Sequence, residues 1–187
     1  MGLMVKFLDE TVEYTGAELS PHWIAHKTGY FGTSVVAFRG PCFVATSKMV
    51  DLEDRFQGAE IRSKEMVHFL GEFFEADLEA AILWQRLFIA SFAERLSEFG
   101  KGHFIVVRKG NDLFIDERKL SVSIVTATPV SRLLHFGVNI DAEGAPVAAI
   151  GLKELKIDPD QLAHGVLEHW RGEWESVRKA RCKVAPR

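Results

Sequence analysis

Cysteine is scarce in this chain of 187 residues, and its two copies, Cys42 and Cys182, are far apart. Neither belongs to a C-x-x-C pair, so the spacing predicts neither a disulfide framework nor a zinc site. Cys42 lies in an apolar, strand-like run without a neighbouring base, and a buried cysteine of that kind is chemically inert. We therefore expect a reduced protein that does not use Cys42 as a nucleophile.

Long apolar runs and an excess of positive charge are also missing. No run approaches the roughly 20 apolar residues that a membrane-spanning helix needs, and the N-terminal stretch MGLMVKFLDE shows no signal-peptide pattern. The formal net charge is −3, whereas a general nucleic-acid binder usually carries a basic field. We expect a cytoplasmic protein that binds neither membranes nor nucleic acids.

The overall composition is that of an ordinary globular protein. Hydrophobic residues make up 47% of the chain and charged residues 26%, and a chain of this length can bury a substantial core. No internal repeat, low-complexity tract or linker interrupts it. These features predict a single domain over residues 1–187.

The first long helix is predicted over 77–99. Asp77 can act as its N-cap, and Gly100 is expected to end it. Apolar or uncharged residues recur along it at alternating spacings of four and three, which is typical of a helix that packs on a sheet. That seam consists of Leu78, Ile82, Gln85, Ile89, Phe92, Leu96 and Phe99. Further apolar residues widen the band, which leaves open a second covering layer or a homodimer interface.

A second long helix is predicted over about 158–182. Asp158 and Pro159 supply a cap followed by proline at the first helical position. Its inner face is expected to carry Leu162, Val166, Trp170 and Val177, with Trp174 at the flank.

Several short strands are expected elsewhere. Met4–Leu8 is predicted as an edge strand and His103–Val107 as a buried strand. Two further β-rich runs, Ser34–Phe38 and Cys42–Thr46, flank Arg39-Gly40-Pro41 and are interpreted as a hairpin or as two neighbouring strands.

Two shorter segments complete the pattern. A helix is expected to start with Ser20 as N-cap and Pro21 behind it, and to stop near Gly29 or Gly32. His22 and His26 would share its face at a metal-binding spacing, but no acidic third ligand is near, so a packed or pocket-lining pair is favoured over a metal site. Residues 48–56 are predicted as a charged loop or short helix that covers the sheet, with acids suited to magnesium.

Residues 108–141 carry the most informative pattern. Leu113–Ile115, Lys119–Thr126 and the stretch from Leu134 to Ile140 are predicted as strands. Because side chains alternate along a strand, Leu120, Val122 and Ile124 are expected to face a core. The opposite surface would gather Lys119, Ser121, Ser123, His135, Gly137 and Asn139. A glycine inside a strand often marks a close approach by a ligand, so this surface is the predicted binding site; a plain solvent-facing sheet surface is the alternative.

Three motifs in this segment resemble the catalytic segment of lipoate–protein ligases. They are R-x-x-N-D from Arg108, K-L-S-x-S from Lys119, and H-x-G-x-x-I-D from His135. Biotin–protein ligases and octanoyl transferases, which share that fold, show related forms. The whole chain also resembles, more weakly, an uncharacterised prokaryotic family grouped with the same fold. The resemblance implies an α+β domain with a mixed or antiparallel sheet flanked by helices, of the class II synthetase-like kind.

The same resemblance assigns roles to individual residues. Lys119 would be the catalytic lysine that holds the acyl carbonyl and the phosphate of an acyl-adenylate, a role that suits a compact, mobile cation. Asn111 and Asp112 would lie near the nucleotide and its magnesium ion, with Arg108 beside them. ATP and Mg²⁺ are thus the implied cofactors.

A second stretch, Glu60–Glu75, stands where lipoate ligases carry R-R-x-x-G-G-G and then a strand with a histidine. Arg62, Lys64 and His68 take comparable positions here and are predicted to bind ligand, but the glycine run is absent. Backbone N–H groups of a glycine-rich turn approach a phosphate closely. Without that turn, a smaller or different ligand is expected.

Three functions therefore remain open. The first is acyl-adenylate chemistry on a small-molecule acid with a nucleotide, with an acceptor protein as a further partner. The second is acyl transfer through a thiol; octanoyl transferases carry a cysteine just upstream of the His135 strand, and Ser131–Leu134 contains none, which argues against it. The third is a binding or structural protein that kept the fold without the chemistry.

Overall fold

The computed structural model describes residues 2–185, which form a mixture of strands and helices. The strands within that range are Met4–Phe7 (β1), Ser34–Val44 (β2), Ile61–Phe73 (β3), Val107–Lys109 (β4), Asp112–Ile115 (β5), Arg118–Lys119 (β6), Ser121–Ala127 (β7) and Arg132–Asp141 (β8). The α-helices are Trp23–Thr28 (α1), Leu52–Phe56 (α2), Leu78–Gly100 (α3) and Pro159–Cys182 (α4), and a short 3₁₀ helix covers Thr46–Lys48.

Five strands form the main sheet in the order β1-β2-β3-β8-β7. β1 is parallel to β2, and the remaining neighbours are antiparallel. A smaller antiparallel sheet, β4-β5-β6, lies beside it. The mixed sheet and its flanking helices confirm the predicted α+β fold class, and β1 is the edge strand that the sequence predicts.

Helices α3 and α4 cover one face of the main sheet. Alternation along β8 points Leu134, Phe136 and Val138 into this layer. There Phe136 meets Phe88 and Phe92 of α3 edge-on, at ring-centroid distances of 5.8 and 5.0 Å. Edge-to-face packing of this kind adds to the burial of apolar surface. The main hydrophobic core therefore lies between the sheet and the two long helices.

Both long helices begin at the predicted caps. The Asp77 carboxylate accepts a hydrogen bond from the Ala80 N–H, and the Asp158 carboxylate accepts from Asp160 and Gln161. The α3 seam is only partly correct, because Leu78 and Ile82 are 42% and 37% exposed. On α4, Trp174 is buried with Trp170 rather than flanking the inner face.

The cap of α4 gives a stability prediction. Replacing Asp158 by alanine leaves two N–H groups of the first turn without their acceptor, and we expect the free energy of unfolding to fall by about 1 kcal/mol. Asp158→Asn keeps a side-chain oxygen acceptor and is the matched control. Urea denaturation compares the two; an equal loss in both variants would show that the negative charge, and not the cap hydrogen bond, stabilises the helix.

Two predicted β elements differ from the structure. β2 is one continuous strand with a bulge between Gly40 and Cys42, not a hairpin. Gly40 is needed there because the chain passes so close that a Cβ would lie 1.8 Å from the Val12 carbonyl oxygen. The predicted buried strand His103–Val107 is wrong: Ile105 is 79% exposed, and β4 begins at Val107.

Helix α1 begins two residues later than the Ser20-Pro21 pattern predicts. His22 precedes it with a left-handed φ of 64°, and the His22 N–H is held by both carboxylate oxygens of buried Glu72, at 3.0 and 3.1 Å. A carboxylate 50 residues away in the chain therefore determines the helix start. The helix ends at Gly29, as expected, with a φ of 72°.

A second, smaller cluster covers part of the opposite face of the sheet. Tyr14 from the loop after β1 and Ile24 of α1 pack there against Val36, Phe38 and Met66. Beside this cluster the face is left open. Within residues 2–185, no helix combines the length and the apolar character required to cross a membrane.

Candidate functional site

A cleft of about 300 Å³ opens on the face of the main sheet opposite to α3 and α4. Its floor is formed by β3, β7 and β8, and the smaller sheet closes one side. The segment that contains α2 and the loop at 145–149 complete the walls. The volume is within the range of small-molecule sites, at its lower end.

Lys119 and Asp112 form an ion pair in this cleft. The Lys119 Nζ lies 2.7 Å from Asp112 Oδ2, and the two side chains are 30% and 21% exposed. Lys119 faces Phe114 in the β5–β6 register, so Asp112, two residues before Phe114, is its diagonal neighbour on the same side. Burial raises the pKa of Asp112 even with the ammonium group beside it.

Two amide side chains join the small sheet to the large one beside this pair. The Asn111 Nδ2 donates to the Ser123 carbonyl at 2.5 Å. The Asn139 Nδ2 lies 3.3 Å from the carbonyl oxygens of both Lys119 and Ile150. Both asparagines line the cleft, so this end of the cleft is rigid and polar.

His68 and His135 lie side by side on β3 and β8 and are almost fully enclosed. His68 is 0% exposed and His135 is 2% exposed, and Nδ1 of His68 is 3.1 Å from Nε2 of His135. The Tyr14 ring stacks on His135 at 3.7 Å. His135 lines the cleft, whereas His68 lies behind it.

Burial keeps both imidazoles neutral at neutral pH. It lowers the pKa of His68 to about 4, and together with the nearby His68 it lowers the pKa of His135 well below the usual value. The charged form of an imidazole is disfavoured where water is excluded. The pair therefore acts as hydrogen-bonding groups and not as cations.

The predicted alternation along β7 is wrong by one residue. Val122 and Ile124 pair with Gly137 and His135 and so face the cleft. The cause is a break at Leu120, whose N–H donates to the Leu113 carbonyl while its own carbonyl accepts from Asn139. A one-residue shift exchanges the two faces of a strand.

Ser121 and Ser123 consequently point toward the helical layer. The Ser121 hydroxyl is buried and accepts from the Leu113 N–H at 2.9 Å. The Ser123 hydroxyl donates to the His135 carbonyl and accepts from Gln85, each at 2.8 Å. Ser123 touches the edge of the cleft, but both hydroxyls are engaged in holding strands together.

The predicted basic residues are dispersed. Arg62 is at the rim of the cleft, with its guanidinium 4.9 Å from the centre of the Phe43 ring. Lys64 is exposed outside the cleft, where it contacts Glu143 at 2.5 Å. Arg108 is also exposed outside it and donates to the Gly110 carbonyl at 2.8 Å. The binding roles of all three remain predictions, and only Arg62 lies where a cleft ligand would meet it.

The space beside Gly137 is filled by Met66. A Cβ at Gly137 would lie 2.9 Å from Met66 Cε and 3.2 Å from His135 Cε1. Although the terminal methyl of methionine moves easily, His135 is held under the Tyr14 ring, so we expect Gly137→Ala to lower the free energy of unfolding by about 1–2 kcal/mol. Thermal denaturation tests this, with Gly151→Ala, whose Cβ would lie 2.3 Å from the Ile140 carbonyl oxygen, as the disruptive reference; a comparable loss in both variants would contradict it.

Some cleft residues carry no signal in the sequence. Tyr14 belongs to an irregular loop, and no local pattern shows that its ring covers His135. Asp51 and Asp54 lie at the cleft, as the charged 48–56 segment suggested, where Asp51 also caps α2. Met66 follows from alternation along β3, if its pairing with Asn139 is known.

The cysteines and the first histidine pair stay apart from the cleft. Cys42 is 2% exposed, and burial raises its pKa to about 12, so it is a neutral thiol at neutral pH. Cys182 is exposed at the end of α4. His22 lies outside α1 and so does not share a helical face with His26. Across residues 2–185, no three His, Cys, Asp or Glu side chains are grouped to hold a metal ion.

The architecture is that of the biotin and lipoate protein ligases. A biotin protein ligase mutant from Aquifex aeolicus in complex with biotin superposes with a TM-score of 0.60 at 15% identity, over 96% of this chain and 72% of the other. A candidate lipoate protein ligase from T. acidophilum with bound lipoic acid gives 0.59 at 10% identity, over 92% and 86%. At these identities the similarity shows the fold alone.

Within this class, the chain belongs to the family described as a domain of unknown function, DUF366, whose family model matches residues 3–185. An uncharacterised protein of Methanocaldococcus jannaschii is 30% identical over 191 aligned residues, which cover 98% of this chain and 85% of the relative. A protein of unknown function from Pyrococcus horikoshi is 36% identical and superposes with a TM-score of 0.93 over 100% of both chains.

Proposed function

We propose that this protein binds a small carboxylic acid in the cleft and activates it with a nucleotide as an acyl-adenylate. The observation that carries the proposal is the Lys119–Asp112 ion pair at the polar end of a small, otherwise largely apolar cleft on a ligase fold. Such a cleft suits a molecule with a hydrocarbon body and an anionic head.

The two parts of the cleft differ in chemistry. Its apolar wall combines Tyr14, Leu19, Val44, Met66, Val122 and Ile124. Its polar end combines Asn111, Asp112, Lys119 and Asn139. The body of an acid would be sheltered from water against the first, while its carboxylate would meet the second.

Lys119 supplies the positive charge in this scheme. An ammonium group is a compact point charge on a flexible stem, which suits a carboxylate or a phosphate. Asp112 holds it in place, and an arriving anion would share or replace that contact. In acyl-adenylate formation a carboxylate oxygen attacks the α-phosphorus of ATP and pyrophosphate leaves, so Lys119 would stabilise negative charge at the reacting phosphate.

Asp54 and Asp112 are the residues whose carboxylates would hold a magnesium ion together with the nucleotide. Both line the cleft, and the charge of Asp54 contributes to the raised pKa of Asp112. Magnesium commonly takes one or two protein carboxylates and completes its shell with phosphate oxygens and water. Two carboxylates therefore fit it, without a cluster of three.

A second function, binding without catalysis, is supported by one observation. Where lipoate ligases carry a glycine-rich turn, Ile61–Ser63 here pairs in register with Cys42–Val44, and the Lys64 N–H donates to the Glu143 carbonyl. Backbone groups used in a strand ladder are not free to surround a phosphate. A protein of this design could bind the acid alone.

Two measurements on the wild-type protein separate these functions. Calorimetric titration with lipoate, octanoate and biotin tests acid binding, and exchange of labelled pyrophosphate into ATP tests adenylate formation. Binding with acid-dependent exchange supports the first function, and binding without exchange supports the second. If none of the acids binds and no exchange occurs, both proposals are wrong.

A further inference from the structure

A line of hydrogen bonds runs from the backbone of β2 to the cleft. Nε2 of His68 lies 3.2 Å from the Gly40 carbonyl oxygen, and Nδ1 of His68 lies 3.1 Å from Nε2 of His135. A carbonyl oxygen can only accept, so Nε2 of His68 must carry the proton. The three groups are thus linked by hydrogen bonds that both donate toward β2.

Neutral imidazole has a single N–H, and this determines the state of the second ring. With its proton on Nε2, His68 presents a lone pair at Nδ1 and accepts from Nε2 of His135. His135 in turn has its proton on Nε2 and a lone pair on Nδ1. The neutrality on which this depends follows from burial, which lowers the pKa of both rings.

Nδ1 of His135 is the group that remains for a ligand. This nitrogen makes no hydrogen bond to residues 2–185, and it remains accessible from the cleft that His135 lines. The Tyr14 ring, stacked on it with an interplanar angle of 10°, prevents the imidazole from turning. The cleft therefore contains an oriented acceptor within its apolar part.

We propose that His135 determines the specificity of the cleft by accepting a hydrogen bond at Nδ1 from an uncharged N–H or O–H group on the body of the ligand. His68 is a positioning residue that holds the tautomer, and Gly40 supplies the anchoring carbonyl. This inference rests on the proposed function, namely that the cleft binds a small acid. It predicts that the cleft prefers acids whose body carries an amide, urea or hydroxyl donor over plain hydrocarbon acids.

The geometry also limits where that donor lies in the ligand. His135 and Asn139 are four residues apart on β8, which corresponds to about 13 Å along the strand. Asn139 adjoins Lys119, whose side chain would meet the carboxylate. The donor and the carboxylate are thus expected at opposite ends of a medium-length acid, separated by roughly 10–13 Å.

Two pairs of acids test the inference by calorimetric titration. Biotin and lipoate both carry a five-carbon acid on a sulfur-containing ring, and biotin alone adds ureido N–H groups. 8-Hydroxyoctanoate and octanoate differ in one hydroxyl. We expect the donor-bearing member of at least one pair to bind about 10-fold or more tightly than its partner, because the lone pair of His135 is otherwise unsatisfied.

His135→Phe is the decisive variant, since it keeps an aromatic ring under Tyr14 and removes the acceptor. We expect it to abolish the preference within the pair, because the acceptor that distinguishes the two members is gone. Near-UV circular dichroism checks that the variant is folded. If the wild type binds both members of each pair equally, or if the preference survives His135→Phe, the inference is wrong. Either result would still be compatible with the proposed function, namely that the cleft binds a small acid. Failure of all four acids to bind would instead overturn the proposed function, and the inference with it.

Nitrogen-15 NMR of the histidine rings tests the positioning role without a ligand. In the wild type at pH 7 the Nδ1 resonance of His135 is expected at the position of an unprotonated nitrogen. His68→Phe removes the acceptor for His135 Nε2, so the proton of His135 is expected to redistribute between the two nitrogens, a change that a purely structural role would not produce. A protonated Nδ1 of His135 in the wild type would contradict the proposal.

Discussion

Replacing Lys119 by alanine is expected to lower acid-dependent pyrophosphate exchange by about 10²–10³-fold, because loss of one preorganised charge at a reacting phosphate commonly costs that much. If the protein binds acids without activating them, the same variant is expected to weaken binding of the carboxylate, and calorimetric titration measures this. The effect arises because the neighbouring Asp112 and Asn139 are an acid and an amide, so neither can replace the lost positive charge at this end of the cleft. In either case the change removes the lysine side chain that is ion-paired to Asp112.

The same substitution is expected to leave the stability of the fold nearly unchanged. Both partners of the Lys119–Asp112 pair are partly exposed to solvent, and such ion pairs contribute about 0–1 kcal/mol. Lys27→Ala is the matched control: Lys27 is ion-paired to Glu10 at 3.0 Å and 32% exposed, but lies away from the cleft. A loss of function shared by both variants, or a Lys119→Ala protein with wild-type exchange and affinity, would remove Lys119 from the mechanism.

Local sequence signals were sufficient for the starts of the long helices and for the side of the cleft formed by β8. The caps at Asp77 and Asp158 act through neighbouring N–H groups, so they can be read without tertiary information. Similarly, alternation along β8 correctly separates His135, Gly137 and Asn139 from the core residues between them. The pairing of β7 with β8, which was a condition of the predicted surface, is present.

Signals from distant parts of the chain account for the errors. Ser121 and Ser123 lie on the face opposite to the predicted one because Leu120 interrupts the strand and joins the two sheets. A single inserted residue moves every later side chain of a strand to the other face. The start of α1 depends on Glu72. No local pattern contains either contact, so periodicity alone could not have predicted them.

The histidine pair shows the same difference between local and distant sequence signals. Alternation predicts that His135 faces the ligand side, but neither its tautomer nor its stacking under Tyr14 can be inferred from the sequence. Those features depend on His68 from β3 and on a carbonyl from the bulge in β2. Together they make a polar pair that is stable in an apolar layer only while it is uncharged.

Stability should therefore decrease as the solution becomes acidic. In the folded protein burial lowers the pKa of His68 from 6.5 to about 4, so between these values the unfolded chain binds more protons than the folded one. The free energy of unfolding thus rises with pH in this window. The stability that neutral His68 contributes is fully present above pH 6.5 and is lost as the pH falls toward 4, and the loss amounts to about 3 kcal/mol. His135, whose pKa is lowered for the same reason, adds to the loss.

Urea denaturation at intervals between pH 7.5 and 4 measures this dependence. The double variant His68→Phe/His135→Phe keeps two aromatic rings in the layer but has no buried group to protonate, so its unfolding free energy is expected to vary much less over the same range. His26→Gln, which alters an exposed histidine of α1, should retain the wild-type slope. Because burial keeps both rings of the folded protein neutral down to about pH 4, binding of a donor-bearing acid should be retained over most of this interval. A wild-type curve that is flat from pH 6.5 to 4.5, or a double variant with an undiminished slope, would show that the pair is not held neutral by burial.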